Sequence, residues 1–273
     1  MSLLYKASAG SGYQFIVGPK NSDLELISFG RCTFGAIGEK VEKASGENEV
    51  AIVILGGKIS VTGTCPAGDI NFMNAGVRKN VFDGPATAIY LPRGSNFTIV
   101  AESEGADIAM TETPARKDKA PTIVTPDQVT HQVVGKDNWQ RNVYTVMGPN
   151  VDADRLLIGE TYNPPGNWSS APPHKHDAVN PPNEGCMEEV YFFMFDPPQG
   201  FGMERVYSGP DSPAQISEAY AVENGDTVAM PYGYHPVVAG PGYNLYYLWI
   251  LSGEERAYGA WSDDPKHAWL RNT

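Results

Sequence analysis

Short apolar runs, each cut off by glycine or proline, recur along the whole chain and leave little but β-structure open to it. EVAIVILGG, KISVTGT, ATAIYLP and NFTIVAES in the first half are rich in β-branched and aromatic residues. So are LLIGETYN, EVYFFMF, GMERVYS and LYYLWILSG in the second half, and turn residues bound each run. With 29 Gly and 22 Pro in 273 residues, a long helix would be interrupted repeatedly. The expected fold is all-β, of the sandwich or barrel kind. Helix is limited to short pieces, one of them around Ser212 to Tyr220.

The length admits one large β-domain or two ordinary ones. A polar stretch without period, TPARKDKAPTIVTPDQ at 113–128, is the best boundary and divides the chain into 1–125 and 126–273. An internal repeat supports two domains. ATAIYLPRGSNFTIVA (86–101) and DTVAMPYGYHPVVAGP (226–241) share a strand, a proline, a glycine two residues on, and a second strand. Aligning Pro92 with Pro231 and Gly94 with Gly233 sets Asn96 where His235 stands, so the first copy lacks that histidine. The simplest picture is two similar β-barrels, only the second of which carries that histidine.

The charge balance narrows the partners. Twenty Lys+Arg against 32 Asp+Glu give a net charge of −12, which argues against nucleic acid and anionic membrane. An anionic substrate would need a locally positive site. No apolar run approaches the length needed to span a bilayer, and MSLLYKASAG lacks the build of a signal peptide. Cys32, Cys65 and Cys186 are odd in number and widely spaced, which suits reduced thiols in a cytoplasm. Oligomerisation is compatible with the aromatic final strand.

The segment SAPPHKHDAVNPPNEGCMEEVY carries the chemistry. His174 and His176 are two apart, and on a strand such residues share a face. The pair Glu188-Glu189 opens the next apolar strand, and His235 follows at a turn in MPYGYHPVV. Three histidines and one glutamate are a donor set for Zn²⁺, Mn²⁺ or Fe²⁺ with positions left for substrate. His131 and His267 sit in polar, irregular stretches and read as surface residues. Cys186 has no histidine placed to activate it and reads as a space-filling thiol.

HxH, then Glu, then a later His in a β-barrel is the cupin pattern. GETYNPPGNWSSAPPHKHD (159–177), EEVYFFMFDPPQGFGMERVY (188–207) and GYHPVVAGPGYNLYYLWILSG (233–253) closely resemble the 5-deoxy-glucuronate isomerases of myo-inositol catabolism. Those are bicupins related to the 5-keto-4-deoxyuronate isomerases of pectin degradation. The likeness is strong over the second half and looser over 1–125. It implies a bicupin with its metal site in the C-terminal barrel only, held by His174, His176, His235 and one of the two glutamates. The related pectin-pathway enzymes have a single Glu before Val-Tyr, which favours Glu189. Strand parity agrees, setting Glu189 with Tyr191 and Phe193 and pointing Glu188 outward. Lys175, between the histidines, is expected to be a solvated charge.

The resemblance implies a metal-dependent aldose–ketose isomerisation of 5-deoxy-D-glucuronate to 5-dehydro-2-deoxy-D-gluconate, with Zn²⁺ the first choice and Mn²⁺ or Fe²⁺ possible. The proton carrier is not fixed by sequence. Tyr232 and Tyr234 flank the third ligand and are the named candidates, with Tyr246, Tyr247 and a metal-bound hydroxide behind them. A uronate carboxylate calls for an arginine. Arg205, sharing parity with Phe201, Met203 and Tyr207, is the first candidate and Arg141 the second. Trp168 is a candidate pocket wall. Alternatives are a 5-keto-4-deoxyuronate isomerase, an Fe-dependent cupin dioxygenase and a sugar-binding bicupin without turnover.

Overall fold

A computed structural model of the chain describes residues 2–6, 10–210 and 212–273. Among these, helix is confined to short 3-10 turns, and everything else regular is antiparallel strand. The helical piece expected around 212–220 is not formed. Ser217–Glu223 is a strand instead, paired with Phe201–Tyr207, because its residues alternate between the two faces of an edge.

A six-stranded and a four-stranded sheet take all their strands from 12–124. An eight-stranded, a second four-stranded and a two-stranded sheet come from 130–263, with one addition from the far end of the chain. Leu4–Tyr5 crosses over and pairs with Thr227–Met230. The first strand therefore lies on the other side of the boundary drawn at 125. The polar stretch 113–128 is not a free linker, since Thr122–Val124 adds to the edge strand Thr87–Leu91.

The two large sheets pack face to face. Along Asn48–Gly56, Val50, Ile52 and Ile54 fill the N-terminal core, while Ala51, Val53 and Leu55 face the other half. Along Asn244–Gly253, Leu245, Tyr247 and Trp249 point into the C-terminal core, and Tyr246, Leu248 and Ile250 meet the N-terminal half. Burial on both faces is why these strands read as unbroken apolar runs rather than alternating ones.

Carboxylates pin this contact in both directions. Glu49, fully buried, accepts the backbone N–H groups of Asp154, Arg155 and Leu156 at 2.8, 2.8 and 2.9 Å and the Tyr90 hydroxyl at 2.7 Å. Reciprocally, Glu188 accepts the N–H groups of Glu25 and Leu26, both at 2.8 Å, and that of Ile27. Glu49 lies opposite Thr113 and Glu188 opposite Ser252, and the two hydroxyls meet at 2.9 Å. The halves thus clasp each other through matching residues, which sets Val50 where the second half carries Glu189. The repeat shows the same relation: Thr87–Leu91 and Thr227–Met230 lie in the large sheets, and Asn96–Ala101 and Val237–Ala239 in the smaller ones.

Glu188 does point away from the C-terminal core, but it meets the other half rather than water. Glu188→Ala is therefore expected to lower unfolding free energy by about 1–3 kcal/mol, the cost of orphaning buried N–H groups, without removing any residue of the candidate metal site. Urea denaturation and metal analysis of the same sample check this.

Candidate metal centre and cavity

His174 is placed by the strand His174–Lys175, which pairs with Ser262–Asp263 near the C-terminus, and His176 follows directly after it. Glu189 projects from Glu184–Asp196 on the face of Tyr191 and Phe193, and His235 comes from the turn before Val237–Ala239. Imidazole centroids lie 4.9 Å (His174 to His235), 5.2 Å (His176 to His235) and 6.2 Å (His174 to His176) apart. Nitrogens of the three rings all fall within 4.8 Å of one another.

The outer hydrogen bonds fix the tautomers. His176 Nδ1 faces the Met187 carbonyl at 2.7 Å and His235 Nδ1 faces that of Gly233 at 2.9 Å. A carbonyl only accepts, so each Nδ1 carries a proton and each Nε2 is the nitrogen turned into the site. Both Nε2 atoms then converge on Glu189 Oε2, at 2.9 and 3.0 Å. His235 Nε2 is buried and, despite that proximity, lacks an aligned hydrogen-bond partner. Nitrogens and a carboxylate oxygen gathered this closely could hold a cation among them. The donor set suits a divalent metal, and the residues fit the group.

The electrostatics agree. Burial alone would raise the Glu189 carboxyl, but the His176 and His235 imidazoles beside it hold it at about 2. Burial, reinforced by the neighbouring His235 and His176, drives His174 well below the usual imidazole range, so it stays a neutral donor.

A cavity of about 250 Å³ opens onto His174, His176 and Glu189. Arg141, Tyr191, Tyr247, Tyr258 and Trp261 share its lining. Arg141 Nη1 donates to the Trp139 and Ala171 carbonyls at 3.3 and 3.2 Å. Among the described residues no carboxylate lies within ion-pair distance of it, and burial pulls its pKa down. Tyr247 shares a 2.7 Å hydrogen bond with Ser169, and its ring lies 4.4 Å from that of Tyr191. Burial raises the pKa of both phenols, which keeps them neutral donors.

Several sequence expectations are corrected here. Arg205 does not reach the cavity. It is exposed and covers the Tyr207 ring at 4.1 Å, because Gly202, Glu204 and Val206 form the inner face of that strand. The apolar Phe201 and Met203 that suggested the opposite parity lie on the solvent side. Trp168 is 39% exposed and stands outside the lining, as do Tyr232 and Tyr234; the Tyr234 ring packs on Tyr207 at 5.1 Å. Lys175 points away from the cluster but is buried and paired with Asp177 and Glu184, not solvated. The expected surface residue His131 is indeed exposed, stacked on Tyr144 at 4.4 Å.

Two features escaped sequence reasoning. The C-terminal segment lines one side of the cavity: Trp261 packs on His174 at 5.5 Å, the Tyr258 hydroxyl bonds Thr145 at 2.8 Å, and Asp264 N–H donates to Pro173 at 2.8 Å. Nothing local in AYGAWSDDP signals this. Glu204 is fully buried with neither carboxyl oxygen hydrogen-bonded, and burial, then the nearby Glu189, drive it well above the usual carboxylate range. It is a neutral acid inside an apolar core.

The architecture is a cupin-like fold that carries a histidine–carboxylate cluster at its cavity. Lactobacillus farciminis oxalate decarboxylase superposes with a TM-score of 0.68 over 98% of this chain and 88% of that one, at 10% identity, a likeness of fold alone. A family model described as KduI/IolB matches residues 3–270, and the chain belongs to that family. The 5-deoxy-glucuronate isomerase of Shouchella clausii is 38% identical over 232 residues, 84% of this chain and 82% of that protein. The Bacillus subtilis (strain 168) protein of the same name is 35% identical over 253 residues, 92% and 89% of the two chains. An IolB-like protein from Salmonella typhimurium LT2 superposes with a TM-score of 0.91 at 33% identity, covering 99% of this chain and 100% of that one.

Proposed function

We propose that the chain is a 5-deoxy-glucuronate isomerase, interconverting 5-deoxy-D-glucuronate and 5-dehydro-2-deoxy-D-gluconate, and that it uses one divalent metal, Zn²⁺ being the first choice. The observation that carries the reading is Arg141. A half-buried guanidinium with no carboxylate partner among the described residues shares one small cavity with the His174, His176 and Glu189 cluster. Such a cavity suits a small acid whose carboxylate pairs with Arg141. Relatives of matching length bear the name of this activity.

His174, His176, Glu189 and His235 would hold the metal, in the second of two cupin barrels divided near residue 125. Val50 and Asn96, standing where the second half has Glu189 and His235, support a first barrel without metal. When bound, the metal would supply Lewis-acid stabilisation of the charge that develops on the substrate oxygens as a carbon-bound proton leaves. Arg141 anchors the carboxylate. Tyr191 and Tyr247, held neutral, donate to substrate oxygens. Trp261 and Tyr258 wall one side of the site. The partner is a small uronate; the net charge of −12 disfavours nucleic acid. Among the described residues no helix is long and apolar enough to cross a membrane, and the free cysteines are compatible with a cytoplasmic setting.

Metal content and anaerobic turnover of 5-deoxy-D-glucuronate, followed as ketone formation, test the reading. Stoichiometric metal with oxygen-independent, chelator-sensitive isomerisation is the expected result. Metal without turnover on this substrate, but with turnover of 5-keto-4-deoxyuronate, would replace the substrate; a requirement for oxygen would replace the chemistry. Arg141→Met should retain metal and lose about ten- to a hundredfold in kcat/KM, the worth of hydrogen bonds to a charged group.

A further inference from the structure

Lys175 stands between two candidate ligands in sequence, yet its side chain turns to the opposite side of the strand, where it is 7% exposed. Its ammonium donates to Asp177 Oδ1 and, at 2.7 Å, to Glu184 Oε1. The stem runs beneath Gly209, where an added Cβ would meet Lys175 Cε at 3.3 Å. Glu184 Oε1 also accepts the N–H groups of Asp177 and Ala178 at 3.0 and 3.1 Å, so it serves its own hairpin.

Asp177 reaches further. Its second oxygen, Oδ2, accepts the Gly233 N–H at 3.0 Å and the Ser212 hydroxyl at 3.1 Å. Gly233 in turn offers its carbonyl to His235 Nδ1 at 2.9 Å. Only glycine serves at this position, because φ is +101° and a Cβ would lie 2.8 Å from the Tyr207 carbonyl. One residue is therefore gripped by Asp177 at its N–H and orients His235 from its carbonyl. A buried lysine with its carboxylates carries a large desolvation cost and is weak as a stabilising device in itself. The connection it makes is the specific feature: the strand bearing His174 and His176 is tied to the turn bearing His235.

We propose that Lys175 is a positioning residue for the metal centre, holding Asp177 against the Gly233 peptide and so fixing the orientation and tautomer of His235. The inference rests on the metal reading above. The same logic governs other metal sites, where partners of the ligating imidazoles set ligand direction and basicity.

Co²⁺ titration of the metal-stripped full chain, read by d–d absorption and accompanied by near-UV circular dichroism, is the test. Lys175→Met and Asp177→Asn are expected to weaken Co²⁺ binding about 10–100-fold and to change the absorption envelope while the fold is retained. In Asp177→Asn one amide position can no longer accept, so either Lys175 or Gly233 loses its partner. Glu184→Gln, which touches Lys175 but not the Gly233 turn, is expected to leave affinity and spectrum near wild type. Folded Lys175→Met and Asp177→Asn with wild-type affinity and spectrum would overturn the inference. So would an equal loss in Glu184→Gln, which would reduce the network to a hairpin support. Should Lys175→Met not fold, Asp177→Asn against Glu184→Gln decides. A wild-type chain that takes up no Co²⁺ would overturn the metal reading itself, and this inference with it.

Discussion

Glu189→Ala is expected to abolish metal binding at the proposed centre and to lower turnover by about 10³-fold, since Lewis-acid assistance is worth several kcal/mol and each factor of ten about 1.4 kcal/mol. The expectation follows from geometry. Glu189 Oε2 is the point on which His176 Nε2 and His235 Nε2 converge, at 2.9 and 3.0 Å, and both Nδ1 atoms are committed to carbonyls. Without this carboxylate the remaining imidazoles face one another with nothing to balance a divalent charge. Elemental analysis and steady-state kinetics on one preparation provide the measurement. Glu188→Ala is the internal control, because its carboxylate serves the backbone of Glu25, Leu26 and Ile27 instead. Glu189→Ala retaining stoichiometric metal would sink the assignment.

Arg78→Met is expected to destabilise the chain by about 3–5 kcal/mol, the cost of stranding one member of a buried ion pair. Arg78 and Glu160, 1% and 0% exposed at their side chains, meet at 2.6 Å across the contact between the halves. Arg78 also donates to the carbonyls of Ile54 and Gly84 at 3.0 and 3.1 Å, and Glu160 accepts the Tyr246 hydroxyl at 2.9 Å. Removing the guanidinium leaves a carboxylate in a dry interface. Arg78→Met combined with Glu160→Leu should recover much of the loss, because an apolar pair can replace a buried ion pair at little cost. Urea denaturation of the two variants checks both statements. A single variant as stable as wild type would show that the interface does not depend on this pair.

The choice between Glu188 and Glu189 was legible because strand alternation is a local property: a residue next to Tyr191 but one must share its face. The same rule misled at Arg205. There Phe201, Met203 and Tyr207 present an apolar row to the solvent side, while the inner row contains glycine and the buried acid Glu204. Alternation tells which residues share a face, but not which face is inside when apolar and polar residues are exchanged.

The sequence by itself determined the β-character of the chain, the candidate donor set at His174, His176, Glu189 and His235, and the family likeness. These depend on turn residues, period-two spacing and short motifs, all encoded within a few neighbours. Only the tertiary structure decided that Arg141 rather than Arg205 stands in the cavity, that Trp261 covers His174, and that Glu188 and Lys175 are buried in separate supporting networks. Each of those depends on pairing between strands far apart in the chain, such as His174 with Asp263 or Glu188 with Ser252. Local propensity carries no register for such pairs; it is set by burying both faces of the large sheets at once.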